Sequence, residues 1–218
     1  MLIAEARPAA TVILMRAAVT GFETFLMRRS ATMRFAPGMY VFPGGSVDND
    51  DVSNVDELTS YINCAVREVF EETGVVLEQQ PGDLVFADHW VTPEFVPVRY
   101  SARFFLAKMP LGQTATSIST ETDLATWISP AKALTETAAG RLPLLMPTLM
   151  VLQWLAEFDN EQDLIAAARS REIKPQLPRP SKDADGTEVW SIVDADTGEI
   201  LIANQPAPKL SELTGLHR

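Results

Sequence analysis

The chain has 218 residues, 46% of them hydrophobic, which is enough for one sizeable core and excludes a generally disordered protein. Its formal net charge of −11 disfavours nucleic acid and anionic membranes as partners, because both are polyanions. No apolar run approaches the roughly 18 residues of a membrane-spanning helix, and the N-terminus lacks a basic stretch followed by an apolar one, so a cytoplasmic protein is the default expectation.

Taken in order, Ala9–Arg16 is a β-branched run that reads as a buried strand, and Phe22–Arg28 reads as its hairpin partner across Thr20-Gly21. Ala36-Pro37-Gly38 is a turn signal, and Met39–Phe42 is a short strand running into a Pro43-Gly44-Gly45 loop. The acidic stretch Asp48–Asp56 reads as an exposed loop with solvated charges at Asp48, Asp50 and Asp51. Asn54-Val55-Asp56-Glu57 resembles a capping box, opening a helix from about Leu58 to Thr73 with Leu58, Ile62, Val66, Val69 and Phe70 as its apolar stripe. The single cysteine, Cys64, excludes an internal disulfide and reads as a small core residue of this helix.

Leu84–Trp90, Arg103–Leu106 and Thr126–Ile128 read as strands, with a Pro-containing loop at Thr92–Val98. Ser129-Pro130 opens a helix, and Pro147–Phe158 and Glu161–Arg171 are two more. Lys174–Pro180, with three prolines, reads as a linker, and Thr187–Val193 with Glu199–Ile202 as a terminal hairpin too short for a core of its own. Strands interleaved with helices predict an α/β sandwich. One domain over 1–218 is expected, its core at about 7–160 and 161–218 carrying the last helix, linker and hairpin. A homodimer is compatible with the sequence.

The densest chemistry lies in Arg67–Val75, where Glu68, Glu71 and Glu72 are spaced i, i+3 and i+4 and so share one helix face. Like charges so placed repel, and a hard divalent cation would relieve that repulsion. A solvated acidic face is the alternative reading of the three glutamates alone. Arg67 can hold a neighbouring carboxylate in place, and Gly74 suits a left-handed helix cap.

Arg67-Glu68-Val69-Phe70-Glu71-Glu72-Thr73-Gly74-Val75 matches the second half of the Nudix box, R-E-U-x-E-E-x-G-U with U aliphatic, and Gly45 resembles the glycine that opens it. The family pattern places that glycine 14 positions before the arginine, whereas Gly45 and Arg67 are 22 apart, an insertion of eight. Asp51 stands where the box expects its first glutamate. The insertion resembles a Nudix subgroup that includes coenzyme A (CoA) and acyl-CoA diphosphatases. Arg34-x3-Gly38-x3-Phe42-Pro43-Gly44-Gly45 resembles the end of the CoA-type motif, whose earlier Leu-Leu-Thr part is replaced by Phe25–Arg29.

The resemblance implies a Nudix α/β/α sandwich with a mixed sheet, and a hydrolase that cleaves a diphosphate linkage with Mg²⁺ or Mn²⁺. Glu71, Glu72 and the Gly45 carbonyl are the implied metal ligands, Glu68 a ligand or the general base, and Arg67 an orienting partner. Glu121 is the candidate ligand from outside the helix, with Asp123 as the weaker choice. Arg28, Arg29 and Arg34, with Gly38, are candidates for binding the phosphates of CoA. The implied substrate is a small nucleoside diphosphate derivative such as CoA or an acyl-CoA. Alternatives are ADP-ribose, NADH or another nucleoside diphosphate derivative, or a non-catalytic ligand-binding module.

Overall fold

A computed structural model describes residues 3–33, 36–78 and 82–206. The first strand, β1 (Ala6–Ala17), is the spine of the sheet. Side chains alternate across a strand, and here Ile13 and Met15 enter one core while Ala10, Val12 and Leu14 enter another. Burial on both faces is why this stretch reads as an unbroken apolar run.

The expected hairpin forms, with β2 (Phe22–Arg29) antiparallel to β1. Beyond β2 lie β3 (Tyr40–Val41) and, off the same strand, β7 (Thr122–Ile128). On the other side β1 runs parallel to β6 (Arg99–Lys108), which pairs antiparallel with β5 (Leu84–Val91). The Pro43-Gly44-Gly45 stretch, expected as loop, runs into a short strand, β4 (Gly44–Ser46), paired with the first half of β1 at Ala9–Thr11.

One helix, α1 (Glu57–Thr73), covers one face of the sheet. The helices α2 (Pro130–Ala138), α3 (Met146–Leu155) and α4 (Glu161–Ser170) cover the other, contributing Ala133, Leu152, Leu155 and Leu164 to its core. This is the α/β/α sandwich with a mixed sheet. Ser129 stands at the N-cap of α2, but its side chain makes no capping hydrogen bond. Among the described residues no helix is long and apolar enough to cross a membrane.

Three further expectations fail. The cap of α1 is Asp56, which accepts from the Thr59 N–H at 2.7 Å, rather than a box starting at Asn54; Glu57 instead meets Arg103 at 2.7 Å. The apolar stripe of α1 is displaced as well. Its buried positions include Tyr61, Cys64, Ala65, Val69 and Thr73, while Leu58 and Phe70 are exposed. Residue hydrophobicity misled here because two positions on the inward face are glutamates.

The third failure is the proline-rich linker, which is a strand, β8 (Gln176–Lys182), antiparallel to β9 (Glu188–Asp194), followed by β10 (Ile200–Pro206). Pro178 and Pro180 are tolerated because β8 pairs with the main sheet at one position only, Gln176 opposite Trp90, so most of that edge needs no ladder donor. The expected terminal hairpin is β9 and β10, and together with β8 it extends the sheet.

Candidate active site

At 100° per residue, Glu68 and Glu72 point along the same side of α1 as Tyr61, Cys64 and Ala65. In the first turns that side meets the sheet. In the last turns it meets β4, and the acids replace apolar groups. Glu72 Oε2 accepts the Gly44 N–H at 2.8 Å. Glu68 packs so tightly on Gly45 that a Cβ there would overlap its carboxylate. The buried Cys64 thiol lies 3.5 Å from the Gly45 carbonyl oxygen, and burial pushes its pKa up to about 12, so it stays a thiol.

Arg67 ties the acids together. Its Nη1 donates to Glu68 Oε1 at 2.8 Å and to Glu71 Oε2 at 3.0 Å, and its Nη2 donates to the Ser46 carbonyl at 3.0 Å. The guanidinium also grips Asp51 with two bonds, Nε to Oδ1 at 3.0 Å and Nη2 to Oδ2 at 2.7 Å. Asp51, expected as a solvated loop charge, is 3% exposed and sits in a 3₁₀ turn at Asn49–Asp51. Its place in sequence, six residues after Gly45, was the available signal.

Burial alone would raise the Asp51 pKa, but bonds from Arg67 and from the Asp48 N–H outweigh it and hold the carboxyl below the ordinary range. Glu68 goes the other way, since desolvation raises it more than Arg67 lowers it. Glu72 is pushed up to about 7, chiefly by burial, with the Gly44 N–H opposing and the charges of Glu68 and Glu121 adding.

These groups line one end of a cavity of about 810 Å³. Gly44, Gly45, Glu68, Glu71, Glu72 and Glu121 meet there, with Arg29 on the rim. The cavity continues over Trp90, Ala102 and Phe104 on the sheet, beneath Leu145–Thr148 at the start of α3. Trp90 is 2% exposed, with its indole N–H on Asp88 at 3.1 Å; His89 is paired with Ser101 at 2.8 Å.

Among the described residues, the expected substrate residues Arg28 and Gly38 do not line this cavity. Arg28 faces Asp123 in a 2.7 Å ion pair, which also commits the alternative acid. Gly38 is a turn residue at φ 77° whose N–H donates to the Arg29 carbonyl. Arg34 lies outside the described residues.

Among the described residues no three His, Cys, Asp or Glu side chains converge as a ready chelate. Arg67 holds one oxygen each of Glu68 and Glu71, and Gly44 holds one of Glu72. The second oxygen of each lies outside these bonds. Hard anionic donors, two of them half-buried and raised in pKa, are what a divalent cation would stabilise, so the donor set fits such an ion chemically.

A family model described as the NUDIX domain matches residues 5–149. The chain belongs to the Nudix family. It is a Nudix hydrolase, an enzyme of a family that acts on pyrophosphate bonds and generally uses divalent metals. A Caenorhabditis elegans protein described as putative nudix hydrolase 7 is 28% identical over 209 residues, covering 81% of this chain and 68% of that protein. The crystal structure of a NUDIX hydrolase from Alicyclobacillus acidocaldarius superposes with a TM-score of 0.68 at 26% identity, covering 76% of this chain and 97% of the other. The NUDIX domain of Shewanella oneidensis NrtR, solved with ADP ribose, shares the fold at a TM-score of 0.52 and 18% identity, over 71% of this chain and 88% of that one.

Proposed function

We propose that this Nudix hydrolase cleaves the diphosphate of CoA or an acyl-CoA, giving 3′,5′-ADP and a 4′-phosphopantetheine product. The observation that carries the reading is the shape of the cavity. Its acidic end, next to Arg29, suits a diphosphate with its cation, and its remainder is a mostly apolar trough, with Thr92, Tyr100 and Thr148 as polar points, that suits a long, weakly polar group. The partial CoA-type motif ending at Phe42–Gly45 supports the same choice.

In this reading Glu68, Glu71 and Glu72, with the Gly45 carbonyl and Glu121, hold Mg²⁺ or Mn²⁺. The ion, when bound, neutralises diphosphate charge and lowers the pKa of water. Arg67 acts by position: anchored on Asp51 and on the Ser46 carbonyl, it sets the Glu68 and Glu71 carboxylates toward the cavity. Glu68 has one oxygen on Arg67 and the other available to orient or deprotonate the attacking water. Water adds to one phosphorus, the bridging P–O bond breaks, and the departing phosphate takes up the negative charge. Arg29 on the rim meets the nucleotide phosphates. The whole chain 1–218 acts as one domain.

The test is turnover of CoA, acetyl-CoA, ADP-ribose, NADH and dinucleoside polyphosphates with and without Mg²⁺ or Mn²⁺. Metal-dependent preference for the CoA compounds is the expected result, and preference for any other member overturns the substrate while leaving the hydrolase.

A further inference from the structure

The family match ends at residue 149, and the strands β8–β10 lie beyond it. One residue of that extension, Pro178, nevertheless lines the cavity and is buried. Thr92 and Pro93, just past the end of β5, line the same cavity, and β5 is the strand that β8 pairs with in parallel. The extension also anchors the loop that follows them. Arg179 Nη2 meets Glu94 Oε1 at 3.2 Å, and Trp190 packs against Phe95 with ring centroids 5.8 Å apart.

The position of this wall follows from sheet order. The acidic end of the cavity sits where β4 pairs with β1, and β8 is three strands away, across β6 and β5. At about 4.8 Å per strand spacing that is roughly 14 Å. Between them the floor is Ala102, Phe104 and Trp90, with no acid along it. A diphosphate held at the acidic end therefore points one of its two organic groups along an apolar floor toward Pro178. The nucleotide half carries further phosphate and belongs beside Arg29; the pantetheine half is the one without charge.

We infer that the C-terminal strands are a specificity element: Pro178, with the Thr92–Pro93 segment that Arg179 and Trp190 hold in place, forms the end wall that receives the pantetheine or acyl end of the substrate and sets how long a tail is accepted. The inference rests on the CoA reading above. Pro178 and Arg179 are positioning and specificity residues, remote from the reacting phosphorus.

The experiment compares kcat/KM for octanoyl-CoA and for CoA in the full-length protein and in Pro178→Trp. Filling the end of the trough lowers the octanoyl-CoA to CoA ratio at least about tenfold, mainly through KM, because displaced methylenes are worth about that much each. Pro178 is buried, so a second variant guards against misfolding. Arg179→Glu, at an exposed ion pair, lowers the same ratio, and adding Glu94→Arg to it restores the ratio. An unchanged ratio in Arg179→Glu and in cooperatively folded Pro178→Trp overturns the inference and leaves the CoA reading intact. Wild-type protein that cleaves neither CoA compound overturns both.

Discussion

Arg67 and Asp51, 16 positions apart in the chain, form a two-pronged ion pair at 3.0 and 2.7 Å. The chain between them enters α1 at Glu57 and still brings Asp51 against its arginine. Asp51→Asn should weaken both contacts and leave Arg67 held by Glu68, Glu71 and the Ser46 carbonyl. A hydrogen bond to a charged partner is worth about 1.5–3 kcal/mol, which sets the expected loss in urea unfolding. The sign with pH is fixed by the lowered pKa of Asp51. Its contribution is present above the unfolded carboxyl pKa and fades as pH falls through the folded one, so wild type and variant should converge in strong acid.

Gly45→Ala should cost activity more than stability. The added methyl would overlap the Glu68 carboxylate, and the flexible side chain is what must move. Displacing a reacting group by an ångström costs about 100-fold in rate, and that loss should appear in kcat with native-like thermal unfolding. A variant with full activity would show that the observed Glu68 position is not used in turnover.

Metal removal gives a prediction whose sign comes from Glu72. Its pKa rises to about 7 on folding, so without metal its protonated form favours the folded state. That contribution is complete below the unfolded carboxyl pKa and is lost as pH rises through 7. In EDTA, stability should fall between pH 5 and 8 by about 3 kcal/mol, at 1.36 kcal/mol per pKa unit. Adding Mg²⁺ or Mn²⁺ should reverse the fall, and Glu72→Gln should abolish both the slope and the metal effect. The same variant should lower kcat by orders of magnitude.

Much of this was readable in the chain before its structure. The β1–β2 hairpin and α2–α4 follow from local patterning, and the Arg67–Val75 spacing gave the three acids and their arginine. What hydropathy could not give was the inward face of α1, because Glu68 and Glu72 sit on it where an apolar residue would mark it. Asp51 escaped for a related reason: an acidic stretch looks solvated unless one knows that Arg67 reaches back to it. The partner of Arg28, Asp123, is visible only in the register of β2 with β7.

The prolines of β8 concealed its attachment, and a buried polar cluster provides it. Asp88, at 4% exposure, accepts from Gln176 Nε2 at 2.5 Å, from the Trp90 indole at 3.1 Å and from the His89 N–H at 2.9 Å, with Arg171 3.6 Å away. Burial still raises its pKa above the ordinary value, despite Arg171 and these donors. Asp88→Ala would strand several buried donors at once, each costing about 1–3 kcal/mol. Because β8 meets β5 at one backbone position, that loss should fall on the extension first. Hydrogen exchange should then show faster exchange over 176–206, with β1 and β6 protected as before. Uniform loss of protection over both regions would mean that the extension and the central sheet unfold as one unit.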